Sequence, residues 1–336
     1  MSKKPCSLAV IFVLSFILSA WSLGFAQEKV IFTLDWVPYG RDVGFFAAER
    51  EGYFRGANLS VSFLKGKGSS DSIKRLAVGN AHFGVPDAGT LVVARSKGAK
   101  VKLLGIYHDK SMMTVIFLKG SGISRISDLA GKTLGDAPWS AVPVVFPALA
   151  HKNGLDPNTV KWIHMNPGAK GASLIAGKVN AITGYITEIP SYEKGAAQAG
   201  KELQQLTYAE HGVDLYANGL ATTDQRIKTN PDLVRRFTQA IYKGVTWAVE
   251  NPDKAVDYFV SQHPAVNRAI AARHWDIAVD HLLTPVAREK GIGFINRAKM
   301  EYTRAIITQA RKLKGQISVD DLYTNEFLPR LFPKKP

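Results

Sequence analysis

Four aromatic residues, Trp36, Tyr39, Trp139 and Tyr185, follow short β-rich runs of the chain, and each has polar neighbours. Flat rings with polar tips suit a planar or ring-bearing ligand. The acids Asp87 and Glu188 also stand at the ends of β-rich runs. There they could accept hydrogen bonds from an amine, an amide or a ring N–H. Arg41 lies two residues beyond Tyr39 and could hold a carboxylate or sulfonate through two parallel hydrogen bonds. Gly68-Ser69-Ser70 and Ser140 precede helical patterns, so their hydroxyls and backbone N–H groups could receive an anionic group or simply cap the helices. These groups favour ligands of opposite charge, and the sequence leaves that choice open.

Other chemistries lack their residues. Gly66–Gly68 has neither the G-x-G-x-x-G nor the GK[ST] pattern of a nucleotide loop. There is no G-x-S-x-G and no H-E-x-x-H. The eight histidines are scattered. His274 and His281 could share a helical face, but no acid completes a zinc set, so structural or surface roles are expected of them. The single cysteine, Cys6, lies before the first apolar run. Disulfides, a thiolate nucleophile and cysteine metal sites are therefore not expected beyond it. No catalytic residue, metal or cofactor is expected.

Elements that could position the candidate residues alternate along the chain. Strands are predicted over 30–34, 59–64, 81–85, 101–107 and 114–118, with helical patterns at 43–51, 69–79 and 90–97 between the first four. The rhythm restarts with strands at 132–135, 160–164 and 181–185 and helices at 141–152, 169–176 and 189–199. A strand at 216–222 and long helices over 231–249, 252–261, 267–281 and 297–312 follow. This predicts an α/β fold of two lobes built on mostly parallel sheets flanked by helices. The first lobe is expected to take 27–117 and 219–336, the second 118–218, with 117–120 and 218–222 crossing between them. Ligands of open α/β sheets bind outside the carboxyl ends of the strands. That rule selects Asp35–Tyr39, Gly66–Asp71 and Pro86–Thr90 from one lobe. From the other it selects Asp136–Ser140, Asn166–Gly168 and Tyr185–Glu188.

The amino terminus predicts where the protein works. Lys3 and Lys4 precede an uncharged apolar stretch, Leu8–Ala20, and Gly24-Phe25-Ala26 gives a small-x-small cleavage site. Residues 1–26 thus read as a secretory signal peptide and imply a periplasmic protein. The net charge of +15 is dispersed, densest at Lys97–Lys102, with no arginine-rich arm. It reads as solubility and weak attraction to anionic surfaces or ligands; nucleic acid is not an expected partner.

Several segments, in order, resemble one family. They are Leu34-Asp35-Trp36-Val37-Pro38, Glu49-Arg50-Glu51-Gly52-Tyr53-Phe54 and Leu76–Gly84 in the first unit. Ile126–Lys132 and Ile175–Ala181 follow in the second, then Asn230-Pro231-Asp232-Leu233-Val234 and Glu250-Asn251-Pro252. The order is similar to that of the substrate-binding proteins of ABC importers in the group of sulfonate, nitrate and thiamine-pyrimidine (NMT1/THI5-like) binders. The resemblance implies a type II periplasmic-binding-protein fold, a small-molecule ligand between the lobes and no catalysis. It also implies a monomer and an inner-membrane ABC permease as partner. The Leu-Asp-Trp start points to the pyrimidine branch, but Tyr39-Gly40-Arg41-Asp42 stands where that branch has Asn-x-Asn-His. The ligand thus stays open between a pyrimidine-like heterocycle and a small sulfonate or carboxylate. The alternatives are an enzyme of pyrimidine or cofactor metabolism on the same scaffold, or a sensor subunit that presents its ligand to a receptor. The family's synthesising enzymes rely on a cysteine-rich motif that this chain lacks.

Overall fold

The computed structural model describes residues 26–334, so the expected signal peptide falls almost wholly outside the described residues. Ten strands form two five-stranded sheets. The first sheet has the order β2-β1-β3-β10-β4, from β1 (Glu28–Thr33), β2 (Leu59–Leu64), β3 (Phe83–Gly84), β4 (Val101–Ile106) and β10 (Gly219–Thr223). The second has the order β7-β6-β8-β5-β9, from β5 (Met113–Leu118), β6 (Thr133–Asp136), β7 (Lys161–His164), β8 (Ala181–Tyr185) and β9 (Leu203–Thr207).

Each sheet is mostly parallel, as expected: four strands run one way and a single strand, β10 in the first sheet and β5 in the second, is reversed. β1 runs parallel to β2 and β3, whereas β10 runs antiparallel to β3 and β4. In the second sheet β6 is parallel to β7 and β8, whereas β5 is antiparallel to β8 and β9. The reversed strands are those next to the lobe crossings. The chain leaves the first sheet after β4, enters the second as β5 and returns as β10. Residues 113–117, expected with the first lobe, pair in the second sheet. The segments joining the sheets are 107–112 and 208–218, not the predicted 117–120 and 218–222. Strand propensity marks an extended run but not the sheet that takes it. Lys299 ties the two joining segments together, its Nζ lying 3.3 Å from Asp109 Oδ1 and 3.5 Å from Asp214 Oδ2.

The first sheet is packed by aromatic side chains. Phe83 stacks on Phe237 with centroids 4.0 Å apart, and Phe32 meets Phe45 and Phe237 edge-on. Phe237 belongs to the helix Pro231–Glu250, whose apolar stripe from Leu233 to Val249 is buried. Such burial contributes about 1.5–3 kcal/mol per large side chain. Four carboxyl-terminal helices are started by N-cap side chains that accept from backbone N–H groups of the first turn: Asn230, Asn267, Thr284 and Asn296. No helix among the described residues is long and apolar enough to cross a membrane.

Candidate functional site

The strand ends of the two sheets face each other, and the lobes touch. Ser70 N–H donates to the Trp139 carbonyl at 3.3 Å. Tyr39 Oη and Thr187 Oγ1 are 3.0 Å apart. Gly68 sits at φ +140°, a backbone region open to glycine but strained for other residues. A Cβ there would lie 1.9 Å from the Trp139 carbonyl oxygen, so only glycine permits this approach.

Between the lobes lies a small chamber of about 20 Å³ lined by Trp36, Tyr39, Arg41, Ser69, Ser140, Tyr185 and Glu188, all predicted site residues. Asp35, Gly68, Lys170 and Gly184 complete much of the wall. Trp36 and Tyr39 cluster with Ala137 apart from the main core. The Arg41 guanidinium lies 4.8 Å from the Tyr39 ring centre and 5.0 Å from that of Tyr185. Lys170 Nζ is 5.2 Å from the Trp36 ring centre.

The other three predicted residues sit elsewhere. Ser70 contributes its backbone N–H to the lobe contact. Asp87 is a buried helix cap: its Oδ1 accepts from Thr90 N at 2.7 Å and from Thr90 Oγ1 at 3.0 Å. Trp139 is 46% exposed and lines an outer groove. Ser69 does not cap its own helix, whose N-cap is Gly68 and which lacks a side-chain cap bond. Its Oγ accepts from Asp87 N–H at 3.0 Å and still borders the chamber.

The charges of the chamber are already engaged. Arg41 forms an ion pair with Asp35, and its Nε lies 3.6 Å from Asp42 Oδ1. Burial works against the Arg41 charge, but Asp35, Tyr39 and Asp42 outweigh it and hold the guanidinium cationic. Lys170 is buried with Nζ 3.5 Å from Asp136 Oδ1 and 3.2 Å from Glu188 Oε2. Glu188 also accepts from Tyr185 N–H at 2.9 Å and Tyr192 Oη–H at 3.1 Å. Burial pushes Asp42 up to about 7, Asp87 up to about 6, and Asp136 upward as well. Four acids, Asp35, Asp42, Asp136 and Glu188, surround the two cations of the chamber. Tyr185 Oη is buried in the chamber wall without a hydrogen-bond partner, an unfavourable state that a polar ligand edge would relieve.

Sequence reasoning missed Lys170 and His274, whereas Asp35 and Thr187 lie in the selected strand-end segments. Lys170 opens the helix Lys170–Ile175, where nothing in Lys-Gly-Ala-Ser-Leu-Ile announces a buried ion pair. His274, expected to be structural or on the surface, is buried and bridges the lobes. Its Nδ1 accepts from Gly40 N–H at 3.3 Å, and its Nε2 lies 3.1 Å from Ser191 Oγ. His281 does not join it, since its Nδ1 meets the Ile277 carbonyl at 2.8 Å within its own helix. No cluster of acids, histidines and cysteines fit to hold a metal occurs among the described residues.

Comparison with known proteins places this geometry. The chain is 26% identical over 265 residues to the formylaminopyrimidine-binding protein of Halalkalibacterium halodurans, covering 77% of this chain and 78% of that protein. It is 24% identical over 259 residues to the 4-amino-5-hydroxymethyl-2-methylpyrimidine phosphate synthase THI13 of Saccharomyces cerevisiae, covering 74% and 76% of the two chains. The periplasmic aliphatic sulphonate binding protein SsuA of Escherichia coli shares the fold, with a TM-score of 0.66 at 12% identity over 92% of this chain and 94% of that one. The two lobes inferred from the strand rhythm and the periplasmic-binding-protein fold implied by the resemblance are therefore the fold of this protein. The family model described as NMT1/THI5 like matches residues 41–255, more than half of the chain, and the chain belongs to that family.

Proposed function

We infer that this protein captures a small planar heterocycle between its lobes and delivers it intact to an ABC importer outside the cytoplasm. One observation carries the reading: three rings from the two lobes, Trp36, Tyr39 and Tyr185, wall a chamber in which the buried Tyr185 Oη has no hydrogen-bond partner. The rings supply stacking faces, and this hydroxyl fixes the edge of a flat ligand. A chamber of about 20 Å³ has room for about one or two waters, so a ring seats with the lobes slightly wider apart than here. Ligand then shifts the equilibrium between open and closed forms by its differential affinity for the two.

Of the two ligand classes left open by the sequence, the charges favour the heterocycle. Both chamber cations are neutralised by two acids each, so a sulfonate would meet no free cation. Burying an unpaired anion beside Asp35 and Glu188 would be costly. A neutral or cationic ring bearing N–H donors matches the acidic excess. The binding-protein relative and the SsuA fold neighbour support capture rather than catalysis, and the chamber's acids are engaged in ion pairs and caps. A monomeric protein released from its signal peptide and a membrane permease complete the proposal.

Calorimetry against planar heterocycles and small sulfonates tests it. One-to-one binding of a heterocycle recovered chemically unchanged is expected. Chemical turnover of the bound molecule, or tight binding of sulfonates alone, would overturn the reading.

A further inference from the structure

A second cavity lies outside the chamber wall. It measures about 790 Å³, within the range of about 300–1,000 Å³ usual for small-molecule sites. The loop 64–67 of the first lobe and the segments 137–139 and 164–167 of the second line it. The contact between Gly68 and Trp139 stands between this groove and the chamber, so the groove takes its shape only when the lobes meet.

Two independent features mark the groove. The first is exposed apolar surface. Trp139 is 46% exposed and Val37 42%, and both line it; Ile163, 39% exposed, precedes His164 of its wall. Large apolar side chains left in water and gathered at one place mark an interaction site. The second is charge. Lys65 and Lys67 line the groove, and no acid among the described residues pairs with either. Lys74 Nζ lies 6.0 Å from the Trp139 ring centre, while Arg75 is already paired with Asp71 at 2.9 Å. The groove is therefore basic where the chamber is acidic.

We propose that this groove is a second subsite, which stacks a planar group on Trp139 and holds its anionic substituent, a phosphate monoester or carboxylate, between Lys65 and Lys67. It rests on the capture reading above and adds an outer, anion-accepting site to the inner, donor-accepting one. Because the Gly68–Trp139 contact separates the groove from the chamber, the groove takes a planar group and its anionic substituent together. A small molecule is the proposed occupant, because segments of both lobes form the groove and its volume lies in the small-molecule range.

Matched pairs of planar heterocycles, riboflavin and thiamine each with and without one phosphate ester, test the proposal by calorimetry on the mature protein. In at least one pair the phosphate form should bind about tenfold more tightly in about 50 mM salt, the sum of two or three exposed ion pairs. Lys65→Gln/Lys67→Gln should erase that difference and leave the unphosphorylated form's affinity within about twofold. Trp139→Ala should weaken the phosphate forms while thermal stability stays at the wild-type value. Equal affinities within both pairs, or a phosphate preference that survives the double lysine substitution, would overturn the subsite. The capture reading is judged separately, by whether any heterocycle binds in a manner sensitive to Trp36→Ala.

Discussion

His274 of the first lobe and Ser191 of the second lie 3.1 Å apart, Nε2 to Oγ, and the other ring nitrogen of His274 accepts from Gly40 N–H. The acceptor role of Nδ1 fixes the tautomer, so the neutral ring carries its proton on Nε2 and donates it across the cleft. A protonated ring would set Nδ1–H against Gly40 N–H, donor against donor. Burial lowers the His274 pKa to about 4, against an upward pull from Glu188 and with a further downward push from Arg273 and Arg41. The Tyr39 ring packs edge-on at 5.3 Å.

Closure should therefore release a proton wherever the open form binds one. With an open-form value near the ordinary 6.5, ligand affinity should be flat above about pH 6.5. It should fall as pH drops toward about 4, by up to tenfold per unit. Asp42 and Asp87 also titrate in this range, so His274→Gln isolates the histidine. Glutamine keeps an acceptor and a donor at similar reach. It should hold affinity at pH 7.5 within about fivefold and remove most of the acid-side slope. An unchanged slope in the glutamine variant would show that the latch does not carry the effect.

Gly68→Val should hold the lobes apart. A side chain at this position collides with the Trp139 backbone and strains its own, but only in the closed form does the collision arise. Ligand affinity is expected to drop at least 100-fold, with thermal stability in the absence of ligand lowered by only a few degrees. Titration calorimetry beside a melting curve reads both, and wild-type affinity in the variant would contradict the contact.

Trp36→Ala should weaken binding roughly 5- to 150-fold, corresponding to about 1–3 kcal/mol for a lost aromatic contact. Because Trp36 clusters only with Tyr39 and Ala137, the ligand-free protein should melt close to the wild-type temperature. A main-core tryptophan would instead cost about 3–5 kcal/mol of stability. Intact affinity in a clearly destabilised protein would move Trp36 from the site to the core.

Much of this arrangement was legible in the sequence because it follows from local pattern. Alternating β and α signals gave the fold, and the strand-end rule brought Trp36, Tyr39, Ser69, Ser140, Tyr185 and Glu188 to one chamber. What stayed hidden depends on tertiary position. The polar run Leu-Gln-Gln-Leu-Thr gave no strand signal, yet it is β9, an edge strand held by β5 alone. Asp136 and Lys170 meet across 34 positions of sequence, and no short-range pattern encodes such an ion pair. Arg41 looked free to hold an anion because its partner Asp35 lies six residues away across a turn. Asp87 was read as a ligand contact, and its capping of the next helix is the local role that its type equally serves.

Lys170→Met should destabilise the protein by about 3–5 kcal/mol, because Asp136 and Glu188 would be left without their buried cation. A melting temperature lowered by about 6–15 °C is expected with no ligand present. A variant that melts within about one degree of wild type would mean that these acids are neutral or hydrated in the native protein.

Small-angle scattering of the mature protein, with and without the heterocycle that binds it one-to-one, tests lobe closure most directly. Saturating ligand should shrink the radius of gyration of the wild type. Gly68→Val should keep the open value at the same ligand concentration. A wild-type radius that stays constant while ligand is demonstrably bound would contradict capture by closure.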